Sequence, residues 1–206
     1  MARECDIYLH DALRFGSIIN FDLKLGIIYQ KGMLVFKFGG ASVKSADAVR
    51  NIVSILEKYI DKDIVVVVSA MGKTTNALER LIEAYAGGDK DVVEKEFNFL
   101  KTYHEEIAAG LFGKESQEAH AAIECFLEQL KLRLEKEPTL NYDYDYDQLI
   151  CYGELLSTTI ISHFLNQSGL ATRWMDVRRS LKSNNTWREA RVDWELSTCL
   201  FNEHFK

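Results

Sequence analysis

The run Ile64-Val-Val-Val-Val68 constrains the fold more than any other stretch of the chain. Consecutive β-branched residues lose χ1 freedom in a helix and leave no polar face, so they predict a central strand buried on both sides. The flanks agree. Upstream, Met33-Leu-Val-Phe-Lys-Phe38 reads as a second short strand, followed at once by Gly39-Gly40. After Ser45, a candidate cap, Val49, Ile52, Val53, Leu56 and Ile60 recur at helical spacing, and residues 76–85 look helical again. Strand, helix, strand, helix in this order predicts a βαβ unit with a parallel sheet.

Gly87-Gly88 ends that pattern. Two long amphipathic helices follow, one carrying Val93, Phe97, Leu100, Tyr103, Ile107 and Leu111. The other carries Ala119, Ile123, Phe126, Leu127, Leu130 and Leu134, and Glu137-Pro138 closes it. They predict a helical hairpin inserted over about 89–137 and packed on the α/β layer. Tyr142-Asp-Tyr-Asp-Tyr-Asp147 reads as a solvated loop, and 147–166 as a helix interrupted near Gly153-Glu154. Residues 171–176 then predict a strand and 193–205 a last helix.

Composition narrows the function classes. With 47% apolar residues, 27% charged residues and a single proline, the chain is neither disordered nor collagenous. A net charge of -6 argues against a nucleic-acid partner, which needs a basic footprint, but leaves room for one local phosphate pocket. The longest apolar run is far too short to cross a bilayer. The four cysteines form no CxxC pair and the five histidines no zinc spacing, so neither a disulfide framework nor a metal site is expected. Residues 1–32 lack the design of a secretory signal, and the expectation is a cytoplasmic protein.

Three places carry chemistry. At Lys37-Phe-Gly-Gly40 a glycine pair directly after a strand lets backbone N–H groups converge on an anion. Lys37 then reads either as a lysine aimed at phosphate or as an edge lysine reaching for water. Gly72-Lys73-Thr74 sits between strand and helix as a phosphate loop would, but the first glycine of that motif would fall at Val67, inside the strand. A P-loop is therefore disfavoured. The hydroxyls of Ser69, Thr74 and Thr75 are donors for a small anion or ordinary helix caps. Glu154, between Leu149-Ile150 and Leu155-Leu156, is either drawn inward toward a cation or lies on a helix surface.

Together these stretches resemble the aspartate kinase family of the amino acid kinase superfamily. The matching residues are Lys37-Phe-Gly-Gly-Ala-Ser-Val43, Val68-Ser-Ala-Met-Gly-Lys-Thr-Thr-Asn76, Gly153-Glu-Leu-Leu-Ser157 and Trp174-Met-Asp-Val-Arg178. The resemblance implies an incomplete three-layer α/β/α sandwich of the carbamate kinase-like type, with residues 33–206 forming its amino-acid-binding portion. It implies transfer of the γ-phosphoryl group of ATP, with Mg2+, to the side-chain carboxylate of L-aspartate. By position, Lys37 would stabilise the phosphoryl group in flight, and Phe38, Gly39, Gly40 and Ser42 would line the nucleotide phosphates. Ser69 and Thr75 would hold the aspartate carboxylates, and Glu154 its ammonium group; Lys73 receives no role. A kinase for glutamate or acetylglutamate, or a non-catalytic substrate-binding module, are the alternatives.

The family continues beyond this length with an Arg-Gly-Gly-Ser-Asp type segment, an adenine and ribose site and ACT regulatory domains. The expectation is therefore negligible turnover by the lone 206-residue chain, and a homo-oligomer or a separately supplied C-terminal half. Residues 1–32 have no family counterpart; they read as an upstream extension or as an extra strand over 18–29.

Overall fold

The structure, a computed structural model, describes residues 33–113 and 116–204; the strand expected over 18–29 lies outside them. Strand β1 (Leu34–Phe38) and strand β2 (Ile64–Val68) pair in parallel, with Leu34 opposite Ile64 and Phe38 opposite Val68. Helix α1 (Ala46–Leu56) connects them and starts where Ser45 caps it, the Ala48 amide donating to the Ser45 hydroxyl at 3.2 Å. The βαβ reading stands.

Helix α2 (Thr74–Gly87) leaves the end of β2, and α3 (Lys90–Phe112) and α4 (Gln117–Leu134) are the two long amphipathic helices. Helices α5 (Tyr142–Ile150), α6 (Tyr152–Gln167) and α7 (Trp194–His204) complete the order. One core forms where β1, β2, α1, α3, α4 and α6 meet, with Val43, Ile52, Met71, Ala108, Leu127, Leu156 and Ile160 almost fully buried. A second core joins α2, α3, α4, α5 and α6 through Leu78, Leu81, Ile82, Leu100, Leu130 and Leu149. None of the described helices is long and apolar enough to cross a membrane.

Four details depart from the sequence reading. First, β2 is covered on one face only: Phe38, Val66 and Val68 face the core, whereas Val35 and Val67 are 68% and 45% exposed. The reason is that the described sheet has two strands with helices packed on one side. Second, the acidic aromatic repeat is helical, not a loop. Asn141 caps it by accepting from the Tyr144 amide at 3.1 Å, and Asp145 accepts from the Thr139 amide and hydroxyl at 2.7 and 2.9 Å. Asp145 thus anchors the chain ahead of the helix, while Tyr144 packs edge-on against Trp187 at 4.8 Å. Third, the break in the following helix falls at Cys151, just ahead of Gly153. Fourth, residues 171–176 form no strand. The Asn166 side chain occupies the Thr172 backbone, accepting from its N–H at 2.7 Å and donating to its C=O at 3.0 Å, so those groups have no need of a ladder.

Candidate active site

Three chain segments meet at the carboxyl ends of the two strands, and main-chain contacts join them. The Ser69 amide donates to the Phe38 carbonyl and the Gly72 amide to the Gly40 carbonyl, each at 3.0 Å. These two bonds extend the parallel pairing of β1 and β2 past its end and fasten the loop 69–73 to the turn after Phe38. The third segment is the start of α6. There the Glu154 carboxylate accepts from the Ala70 amide at 3.1 Å, across 84 residues of sequence.

Ala70 is the meeting point, and two glycines make it reachable. A Cβ at Gly40 would stand 2.7 Å from the Ala70 carbonyl, and a Cβ at Gly153 would stand 2.8 Å from the Ala70 methyl. Either distance is closer than real side chains come, so only glycine lets the turn after β1 and the start of α6 close on the same residue. Gly39, by contrast, faces open space.

Glu154 is the charged group that this closure encloses. Its Oε1 holds the Ala70 amide, while Oε2 is buried with no hydrogen-bond partner among the described residues. Burial pushes the carboxyl up to about 7, against the lowering effect of the Ala70 amide. A buried carboxylate oxygen without a donor is expensive unless a cation arrives. Nearby, the Thr74 hydroxyl at the start of α2 is also buried and unpartnered, and its methyl lies 3.3 Å from the space a Gly153 Cβ would take. Beside the start of α6, Arg178 forks onto Asp176 at 2.7 and 2.8 Å and points one nitrogen at Cys151 Sγ, 3.9 Å away. Burial pushes the Cys151 thiol up to about 11, which keeps it protonated and unreactive.

The sequence-predicted residues fall into two groups. Phe38, Gly40, Ser69 and Glu154 are brought together by the contacts above. Lys37 is exposed on the same sheet face as Val35 and Val67, opposite Val67 in register, and makes no ion pair among the described residues. Ser42 is exposed and its amide closes a turn on the Gly39 carbonyl at 2.9 Å. Thr75 is half-buried in the first turn of α2, and Lys73 is exposed. The inward reading of Glu154 therefore prevails over the helix-surface one. Sequence reasoning missed Ala70, whose part is played by its backbone, and Tyr103, which reads as one more apolar helix position.

Comparison with known proteins bears on what such a site does. The family model described as Amino acid kinase family matches residues 32–206. The bifunctional aspartokinase/homoserine dehydrogenase 2 of Escherichia coli K12 is 30% identical over 174 residues, covering 84% of this chain and 21% of that protein. The chloroplastic aspartokinase 2 of Arabidopsis thaliana is 36% identical over 146 residues, covering 69% and 26%. Among solved structures, E. coli aspartokinase III in complex with aspartate and ADP superposes with a TM-score of 0.73 at 25% identity, covering 84% of this chain and 37% of that one. The chain thus spans well under half the length of the relatives it matches.

Proposed function

The chain belongs to the amino acid kinase family, and from that premise we propose that it forms the amino-acid-binding part of an aspartate kinase. In this reading the γ-phosphoryl group of ATP passes to the side-chain carboxylate of L-aspartate. A carboxylate oxygen forms the new bond to phosphorus, the bond from phosphorus to the β,γ-bridging oxygen breaks, and ADP leaves with that electron pair. The acceptor is already ionised at neutral pH, so no general base is required. What the protein supplies is placement and charge.

The observation that carries the reading is Glu154, held by the Ala70 amide with its other oxygen buried and unpartnered. That oxygen suits the ammonium group of an amino acid. An arriving cation favours the ionised carboxylate and replaces a lone buried charge by a pair. Ser69, at the start of the loop, and Thr75, in the first turn of the helix that follows it, suit the substrate carboxylates. Gly39, Gly40, Phe38 and Ser42 offer backbone and hydroxyl donors to phosphate, and Lys37 a mobile charge for the group in transfer. Mg2+ would arrive on the ATP phosphates, as it commonly does with few protein ligands, and no cluster of three or more His, Cys, Asp or Glu able to hold a metal stands among the described residues. No step of this reading is assigned to the ion.

A partner supplying the remainder of the fold, as a second copy or a separate polypeptide, belongs to the same proposal, since Val35 and Val67 leave one sheet face bare. So does a cytoplasmic location, for which a plastid is the alternative. The test is calorimetric titration of the chain with L-aspartate, L-glutamate and succinate. Aspartate is expected to bind, and succinate, which lacks the ammonium group, to bind at least roughly tenfold more weakly. Equal affinity for aspartate and succinate overturns the role of Glu154, and tighter binding of glutamate moves the substrate to another small acid.

A further inference from the structure

From the helical hairpin, Tyr103 on α3 reaches the site by a hydrogen bond. Its hydroxyl donates to the Lys44 carbonyl at 2.7 Å, just past the turn that carries Gly39 and Gly40. The same hydroxyl fills the space in which a Cβ on Gly72 would sit, and Lys44 Cβ bounds that space at 3.5 Å. Gly72 has φ +54 and donates its amide to Gly40 at 3.0 Å. One phenol oxygen therefore lies between the two loops that build the site.

The ring rests against neighbours on its own helix. It stacks on Phe99 with 2° between planes, and His104, fully buried, meets its edge at 5.3 Å. His104 is in turn tied to the Leu100 carbonyl at 2.7 Å. The phenol is thus seated on α3, and its hydroxyl ties that helix to the turn at 39–44.

We infer that Tyr103 is a positioning residue through which the helical hairpin sets the distance between the loop 69–73 and the turn at 39–44. At that spacing the Gly40 carbonyl meets the Gly72 amide, and the neighbouring Ala70 of the same loop presents its amide to Glu154. Tyr103 acts through these groups and touches no reacting atom. Only the ligand-binding arm of the test rests on reading the site as an aspartate site.

The variant is Tyr103→Phe in the full chain, which keeps the packed ring and removes the hydroxyl. Two measurements separate positioning from general support. In amide hydrogen exchange, the Gly72 and Thr74 amides, bonded to Gly40 and Met71, are expected to exchange roughly fivefold faster. The Ile123 and Leu127 amides in α4 are expected to keep their wild-type rates. In calorimetry, the Kd for L-aspartate is expected to rise roughly fivefold. Unchanged exchange at Gly72 and Thr74, or equal acceleration at Ile123 and Leu127, overturns the inference. So does an unchanged Kd in a chain whose wild type binds aspartate. If the wild type binds no aspartate, the functional reading fails, and the exchange rates alone decide the role of Tyr103.

Discussion

The site and the hairpin beside it are assembled by different means. At the site, main chain meets main chain: the Phe38, Gly40, Ser69, Ala70 and Gly72 backbones bond to one another or to Glu154, and glycines at 40 and 153 remove the side chains that would hold them apart. In the hairpin, α3 and α4 meet through buried Leu100, Ala108, Ile123, Leu127 and Leu130. Each region also encloses one titratable group with an unpartnered atom, Glu154 Oε2 at the site and His104 Nε2 in the hairpin. Burial drives each toward its neutral form, raising Glu154 to about 7 and lowering His104 to about 4. The difference teaches where function can act. A glycine-lined backbone junction brings its carboxylate against a main-chain amide, whereas a leucine-packed helix pair encloses its imidazole away from the loops.

The harshest way to test this contrast is to remove volume from the hairpin. Leu100 is fully buried where α2, α3 and α4 share a core. Leu100→Ala is expected to lower the unfolding free energy by about 2–5 kcal/mol, the range for a large-to-small change that leaves a cavity. Denaturant titration gives that figure, and aspartate affinity measured on the remaining folded protein should change less than about twofold. A loss of binding comparable to the loss of stability means that the two regions are one unit.

What was legible in the sequence follows the same divide. Both strands, the capped helix α1 and the long helices α3 and α4 could be read because their side chains advertise burial by period, as at Val49, Ile52, Val53 and Leu56. Residues that meet in the candidate site were legible where a family motif marks them, Gly40, Ser69 and Glu154 among them. Ala70 was not, because its contribution is an amide that every residue but proline carries. Tyr103 was hidden for the opposite reason, its place on an amphipathic helix being enough to explain an aromatic ring. The α5 repeat was misread because tyrosine and aspartate suit a loop until Asn141, Thr139 and Trp187 are seen to engage them. Over 171–176, where a strand was expected, the nearby Asn166 amide engages the Thr172 backbone instead of a neighbouring strand.

A second test uses pH to set the two buried groups against each other. Glu154 has a folded pKa of about 7 against an ordinary 4.5, so its contribution to stability is fully present below 4.5 and is lost as pH rises through 7. His104 has a folded pKa of about 4 against 6.5, so its contribution is present above 6.5 and is lost as pH falls through 4. Each shift corresponds to about 3 kcal/mol. Between pH 4.5 and 6.5 the two slopes oppose and largely cancel. Glu154→Gln removes one of them. Its stability relative to wild type should climb by up to about 3 kcal/mol from pH 4.5 to 7, measured by denaturant titration at fixed salt. His104→Leu should show the mirror image, gaining on wild type as pH falls from 6.5 to 4. A difference curve without slope in either variant removes the buried, unpartnered character assigned to that group. Aspartate binding separates them further, because Glu154→Gln should abolish most of it and His104→Leu should not.

The smallest effect sharpens the contrast from the other side. Lys101 on α3 reaches Glu124 on α4 at 3.4 Å and Glu105 on its own helix at 3.6 Å, with all three side chains substantially exposed. These are the charges that face one another across the outer surface of the hairpin, and water screens them. If packing is what joins α3 to α4, Glu124→Gln should change the unfolding free energy by no more than about 0.5 kcal/mol, and that change should vanish at roughly 1 M salt. Lys101 keeps Glu105 in the variant, which reduces the effect again. A loss above about 1 kcal/mol that persists in high salt would place a share of the hairpin's cohesion in charge, beyond what exposed pairs supply. The leucine seam would then no longer suffice to account for how α3, which carries Tyr103, is held against α4.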